Sequence, residues 1–368
     1  MSRPVAILNS LLLAAAACKQ VYLPPVVKSP PVDLVVEGFI NNGPDSTYFD
    51  LSTTYVLSDS TATTPITGAT VTVEGTDNSS YPLPGVGSGA YGAPLPPLNA
   101  SSSYRLHIVT PGGTQYASDY VSVVANPPID SVNWIRGNDG VHIFASTHDP
   151  SNSDKYFRYD YVETWKFQTP FFAVLQYLND SLQPYAPNTI SICWHNDVSS
   201  TILLASSSQL SKDVIYEMPL VVIPINSQQI SIEYSILARQ YALTLPAFNW
   251  WSIMQNNTEN IGSIFGVEPT TDQGNIHCLT DSSQEVIGWV SAGTVRSQRI
   301  FITEEQVYPW DYIPPCMEVK APVKDAGSYY AGGLWPINYY NTDSINTAWK
   351  TCVDCTLTGT NVKPAFWP

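Results

Sequence analysis

The sequence predicts a mostly β protein. A small N-terminal sandwich of the immunoglobulin-like or transthyretin-like kind comes first, and a larger β-rich domain with one short helix follows. Three observations predict this. The first is composition: 30 prolines, 21 glycines and 22 tyrosines in 368 residues, with only 13% charged side chains. Helical bundles draw on Ala, Leu, Glu and Lys, whereas this mixture suits turns and strands. The second is alternation of β-branched or aromatic residues with polar ones, the pattern of a strand with one buried face. The third is punctuation by NNGPDS, GTDNSS and TPGG, which hold the residues that tight turns require. With 44% hydrophobic residues, the chain can bury a sizeable core.

Residues 1–17 read as a signal peptide. Arg3 supplies the positive n-region, and Val5 to Ala17 is an apolar run of 13 residues. A membrane-spanning helix needs about 20. Ala15-Ala16-Ala17 then meets Cys18, which looks like a bacterial lipobox. It implies cleavage before Cys18 and acylation of its thiol, including palmitate-type chains. The alternative is an ordinary secretory leader with a chance cysteine. Residues 18–32 carry Pro24, Pro25, Pro30 and Pro31, so they read as a semi-rigid tether reaching roughly 40 Å. No later run is long and apolar enough to cross a membrane as a helix. The folded part is expected outside the cytoplasm, held to the membrane by its lipid.

The small sandwich is expected over residues 33–125. Its strands are LVVEGFI (34–40), TYFDLSTTYVL (47–57), ATVTVEG (69–75), SYRLHIVT (103–110) and TQYASDYVSVV (114–124). Ala125-Asn126-Pro127-Pro128 marks the boundary. The larger domain, residues 126–368, opens with DSVNWIRG (130–137), GVHIFAST (140–147), DKYFRYDYVETWKF (154–167), TISICWHN (189–196) and STILLASS (200–207). MPLVVIP (218–224) and QQISIEYSILARQYAL (228–243) follow. One helix is expected from about Pro246 to Ile261, with Thr244 as its cap. EVIGWVSAG (285–293) and SQRIFIT (297–303) return to strand, and the tail after Val307 reads as loop.

The formal net charge is −15. Such a chain repels nucleic acid and anionic membrane faces. No D-x-[DN]-x-[DN]-G calcium run occurs. Beyond Cys18, five cysteines remain: Cys193, Cys278, Cys316, Cys352 and Cys355. An exported protein meets oxidising conditions, so pairing is the default and an odd count leaves one free. Cys193 with Cys278 is one expected pair. The same region offers Cys193, His195, His277 and Cys278 as an alternative zinc set, but His277 and Cys278 would point to opposite faces of a strand. Cys316 is expected to staple the tail through Cys352 or Cys355. Cys352-Val353-Asp354-Cys355 has thioredoxin-like spacing, yet TLTGTNVKP after it does not read as the helix that lowers a thiol pKa.

No catalytic set, metal site or cofactor site emerges. There is no G-x-S-x-G elbow, no H-E-x-x-H and no Gly-rich phosphate loop before a helix. His148-Asp149-Pro150 reads as turn chemistry. Glu304 and Glu305 are adjacent and diverge on a strand. The binding candidates lie in SYYAGGLWPINYY (328–340): Tyr329, Tyr330, Trp335, Tyr339 and Tyr340 around Gly332-Gly333. Tyr and Trp with Gly and Asn compose recognition surfaces; the same rings could instead pack a long tail onto a sheet. Trp250-Trp251 and Trp349 are expected to be packed.

Three local signatures occur together: YSILARQYAL (234–243), GNIHCLTDSSQEVIGWVSA (274–292) and CVDC…GTNVKPAFW (352–367). With the lipobox and LVVEGFI, they resemble a family of Bacteroidota envelope lipoproteins of unassigned function, often encoded beside TonB-dependent outer-membrane receptors. The resemblance implies an outer-membrane, lipid-anchored accessory protein whose partner is a barrel receptor or another envelope complex, analogous to the ligand-capturing lids of glycan importers. Surface-exported lipoproteins of that phylum often carry acidic residues just after the lipidated Cys. KQVYLPP has none, and the leaflet stays open. The function expected is therefore non-catalytic binding of a receptor or its ligand. A glycan or peptide hydrolase, or a purely structural envelope subunit, are the alternatives.

Overall fold

A computed structural model describes residues 33–54, 64–185, 189–259 and 274–368. The expected signal peptide, Cys18 and the Pro-rich tether lie outside the described residues. The fold is mostly β, as the composition and alternation predict.

The first layer forms where alternation is cleanest. Leu34–Asn41 runs antiparallel to Thr47–Thr53, with Val36 opposite Leu51 and Gly38 opposite Phe49. Leu34, Val36, Ile40, Phe49 and Leu51 are buried. Gly38 is required here: a Cβ would run into the Phe49 ring and the Tyr48 carbonyl. Across the core, Thr70–Gly75 pairs with Ser103–Val109 and contributes Val71 and Val73 against Tyr104, Leu106 and Ile108.

The chain between 276 and 293, read from sequence with the second region, returns to this first unit. Ile276–Cys278 pairs with Gln115–Ser118. Val286–Gly288 runs parallel to the start of Leu34–Asn41. Ala292–Gly293 lies parallel between Leu34–Asn41 and Val121–Val124, linking the two halves of one 13-stranded, barrel-like sheet. The first unit is thus completed by residues far along the chain from 33–125.

The second unit is a sandwich. Ile129–Arg136, Gly140–His148 and Val214–Pro224 form one sheet. Its partner orders Ile192–Val198, Tyr156–Gln168, Glu233–Ala242 and Arg296–Thr303, with Leu203–Ser206 also on Tyr156–Gln168. Phe157, Tyr159, Tyr161, Trp165 and Phe167 face Val141, Ile143, Ala145 and Ile223 in one core. The junction between the units is welded by amides. Asn126 Nδ2 donates to the Gln240 and Thr294 carbonyls at 2.7 Å each, and Gln240 Nε2 donates to Asn126 Oδ1 at 2.9 Å. The helix, Leu245–Glu259, begins as expected. The Ala247 amide donates to Thr244 Oγ1 at 3.4 Å.

Glu163 is the exception to the apolar register of Tyr156–Gln168. It occupies an inward position and is buried, and Tyr234 Oη donates to its Oε1 at 2.7 Å. Burial pushes this carboxyl above its usual range, and the neighbouring Asp197 adds to the effect, against the Tyr234 hydrogen bond. The folded state therefore holds the proton more tightly than the unfolded chain. Stability from Glu163 is present in acid and is lost as pH rises from about 4.5 through the raised value. Glu163→Gln should remove this falling limb. Urea midpoints between pH 4 and 8 check it; an unchanged pH profile would contradict the assignment.

The tail is not the loop that its sequence suggests. Val319–Pro322, Ser344–Trp349 and Leu334–Tyr339 form a three-stranded sheet, and Ala326–Ala331 adds a second, six-residue helix. The hairpin Leu175–Leu178/Ser181–Pro184 packs beside it, tied in by the Val174 amide donating to the Ile337 carbonyl at 2.8 Å. The last residues return to the central sandwich. Trp194 and Thr360 exchange backbone hydrogen bonds at 2.8 and 2.9 Å, and Trp367 Nε1 donates to Glu233 Oε2 at 2.7 Å.

Candidate functional site

The tail module is held by two disulfides. Cys316 joins Cys352, one of the two expected alternatives, with Cα atoms 5.9 Å apart. Cys355 joins Cys193, with Cα atoms 5.7 Å apart. The expected Cys193–Cys278 pair is therefore not formed. Among the described residues Cys278 is the free thiol, buried in the first unit, where its strand pairs with Gln115–Ser118. That placement also dissolves the alternative zinc set. Cys193 is spent in a disulfide, His195 Nδ1 lies 2.5 Å from the Thr358 carbonyl, and His277 sits 3.1 Å from Asp119 in the other unit. Cys352 and Cys355 each take a different partner. CVDC is thus a double staple, one arm to the central sheet and one to the loop at Cys316.

This clamp sorts the five aromatic candidates into two groups. Tyr329, Tyr330 and Trp335 are half-buried. Tyr329 packs on Leu175, Ala321 and Ile345. Trp335 Nε1 donates to the Leu175 carbonyl at 2.9 Å, and its ring meets Tyr185 and Tyr330 at 5.8 and 5.9 Å between centroids. Tyr329 and Trp335 thus pack from outside onto the module's two small buried clusters, around Ile345 and Ile337. Tyr339 and Tyr340 instead lie on the surface, 54% and 55% exposed. Trp349, expected to be packed, is 56% exposed. It sits opposite Leu334 at the other end of the same hairpin.

Lysines frame these rings. Lys320 Nζ lies 3.5 Å from the centroid of Tyr340, and Lys350 Nζ lies 4.0 Å from that of Tyr330. Hydrogen bonding and charge from Lys320 draw the Tyr340 hydroxyl below the usual phenol range. Between residues 316 and 351 the three lysines balance three acidic side chains. The module is thus neutral on a chain of net charge −15. A groove of about 700 Å³ runs beside it, bounded by Tyr177, Asp180, Lys324, Ser328 and Tyr330. Of these, only Tyr330 was signalled by the sequence. Tyr177 belongs to a distant hairpin that the topology brings in.

The polar motifs weighed from sequence are structural. His148 Nδ1 pairs with Asp130 at 2.7 Å. Asp149 accepts the amides of Ser151, Ser153 and Asp154 at 2.7–3.0 Å and closes its own loop. Glu304 and Glu305 open a short 3-10 turn. Trp250 is buried, as expected, and Trp251 is half-buried.

No curated protein matches the chain. A family described as a domain of unknown function, DUF4249, matches residues 20–299. The matched stretch takes in the first β unit, with the returning strands at 276–293, and the second unit as far as the middle of Arg296–Thr303, and it stops before the tail module. Because it spans more than half of the 368 residues, the chain belongs to the DUF4249 family.

Proposed function

We propose that this is a lipid-anchored, non-catalytic outer-membrane accessory protein of a Bacteroidota cell envelope. Its partner is a TonB-dependent barrel receptor or that receptor's cargo, and its docking surface is the tail module. One observation carries the reading: Tyr339, Tyr340 and Trp349 are each more than half exposed on a module clamped by two disulfides. Large rings held rigidly in water lose little entropy on binding and bury much area, which is what interface anchors do. The neutral local charge avoids the repulsion that the rest of an acidic chain would impose on an acidic partner. The lipobox ending in Cys18 and the Pro-rich tether support a membrane-held position, and the resemblance to receptor-linked lipoproteins supports the partner.

The test is copurification from mild detergent, with mass spectrometry of the N-terminal peptide for its lipid. Tyr339→Ala, Tyr340→Ala and Trp349→Ala together should reduce recovery of the barrel partner at least 30-fold, since losing one true anchor costs about 2 kcal/mol. The melting temperature should stay near that of the wild type, because these rings lie outside the core. Full recovery of the partner by the triple variant would refute the surface. Turnover of a glycan or peptide substrate by the wild type, with no partner recovered, would install a hydrolase reading instead.

A further inference from the structure

We infer that a second site lies at the junction of the two β units: a preformed groove that takes an extended peptide segment in which a bulky apolar residue neighbours a Lys or Arg. The groove has a volume of about 410 Å³ and runs between Asp119–Val124 and Trp289–Ala292, with Thr244 at the helix start as part of its wall. This volume falls within the usual range of ligand sites, and junctions between domains are where such sites collect.

The groove is built into the backbone. Val121–Val124 and Ala292–Gly293 pair in parallel only at Val123 with Ala292 and Val124 with Gly293. Just before that pairing the two chains splay apart. Asn275 wedges the splay open while holding both walls. Its carbonyl accepts the Asp119 amide at 2.7 Å. Its side-chain amide exchanges two hydrogen bonds with the Val290 backbone, at 2.9 and 2.8 Å. Asn275 is 4% exposed, so the wedge is part of the core. Val121 and Ser122 pair with Tyr104 and Ser103 on their far edge. Among the described residues, no strand pairs with them on the groove edge. Ser103 spends its N–H and C=O on Thr76, so Ser122 opposite it is the residue that turns its backbone groups to the groove edge, a foothold for an added peptide backbone.

The side chains set the ligand's chemistry. Tyr120, 45% exposed, and Trp289 supply aromatic walls. Among the described residues, Asp119 is the only charged side chain on the lining, and it is 64% exposed. Its neighbour His277, at 3.1 Å, is a cation only when protonated. Arg105 already lies 4.9 Å from the Tyr120 centroid, but both of its hydrogen bonds are committed to Glu74, at 2.8 and 2.7 Å. A carboxylate beside two aromatic faces attracts a cation on an apolar stem and repels an anion. The chain's net charge of −15 acts in the same direction.

The experiment uses the full chain in mild detergent and two blocked peptides, Ac-Val-Lys-Phe-Thr-NH2 and the same peptide with Glu in place of Lys, read by saturation-transfer NMR and calorimetry. The Lys peptide should bind at least tenfold more tightly than the Glu peptide. Asp119→Asn, which alters an exposed side chain, should erase that preference. Trp289→Ala should weaken binding of the Lys peptide about tenfold or more; if it does not fold, Tyr120→Ala serves in its place. The triple tail variant should bind the Lys peptide as the wild type does, so this result stands or falls apart from the docking surface. Equal binding of the two peptides, binding of maltohexaose in preference to both, or no binding by the wild type would overturn the proposal.

Discussion

Replacing Cys193 and Cys355 together by alanine should lower the unfolding free energy by about 5 kcal/mol. The chain-entropy treatment gives this for a loop of 162 residues, since the cross-link removes conformations from the unfolded chain. Both side chains are buried, so deleting two sulfurs adds a packing loss of the same sign. The loss should be local as well as global. Cys355 pins the tail to the central sheet, and without it the chain end is left to non-covalent contacts there, among them the Trp194–Thr360 exchange, the His195–Thr358 contact and the Trp367–Glu233 bond. The variant should therefore show a lower urea midpoint and early proteolysis beyond residue 304, with Cys316–Cys352 intact. A wild-type midpoint would contradict the clamp. Cys278→Ala is the control, because that thiol is free.

Asp149→Ala should cost about 3–5 kcal/mol. The carboxylate takes three backbone amides and the hydroxyls of Ser151 and Ser153. Hydrogen bonds to a charged group contribute about 1.5–3 kcal/mol each, though not additively. These bonds outweigh the burial that opposes them, and they hold the Asp149 carboxyl well below its usual range. Its contribution is present above a pH of about 3.8 and is lost as pH falls below that. Asp154 has the opposite sign. Burial, then the charges of Asp149 and Asp213, push its carboxyl up to about 6. Its contribution is present in acid and is lost as pH rises from 3.8 through about 6. Stability of the wild type should rise on leaving strong acid and decline again towards pH 6. Asp149→Ala should lose the acid limb and move the other limb to lower pH, since one source of the Asp154 shift is gone. Urea midpoints measured from pH 3 to 8 check both limbs.

Long strands with strict alternation were legible in the sequence. DKYFRYDYVETWKF and QQISIEYSILARQYAL fall on Tyr156–Gln168 and Glu233–Ala242, because one buried face forces a period of two. The Thr244 cap was legible for a similarly local reason. The return of residues 276–293 to the first unit was not. Its strands have only two or three residues, too few to show a period, and their partners lie more than 150 positions away. The Cys193–Cys355 pair was hidden by the same crossing, which carries Cys278 into the other unit. In the tail, Pro336 and the register shift before Asn338 break the alternation of Leu334–Tyr339, and Gly327 weakens the signal of a six-residue helix. The aromatic run was visible as a composition. Which rings pack and which face water depends on the hairpin at 175–184, which no local pattern ties to residue 335.

The central claim is that the exposed rings of the tail module meet a membrane partner. A photo-crosslinking amino acid placed at position 349 in the native envelope tests it most directly. The account predicts one dominant adduct with an integral outer-membrane barrel, identified by mass spectrometry, and no such adduct from position 210, where Leu210 is equally exposed on the central unit. An equal yield from both positions, or no barrel adduct from position 349, would contradict it.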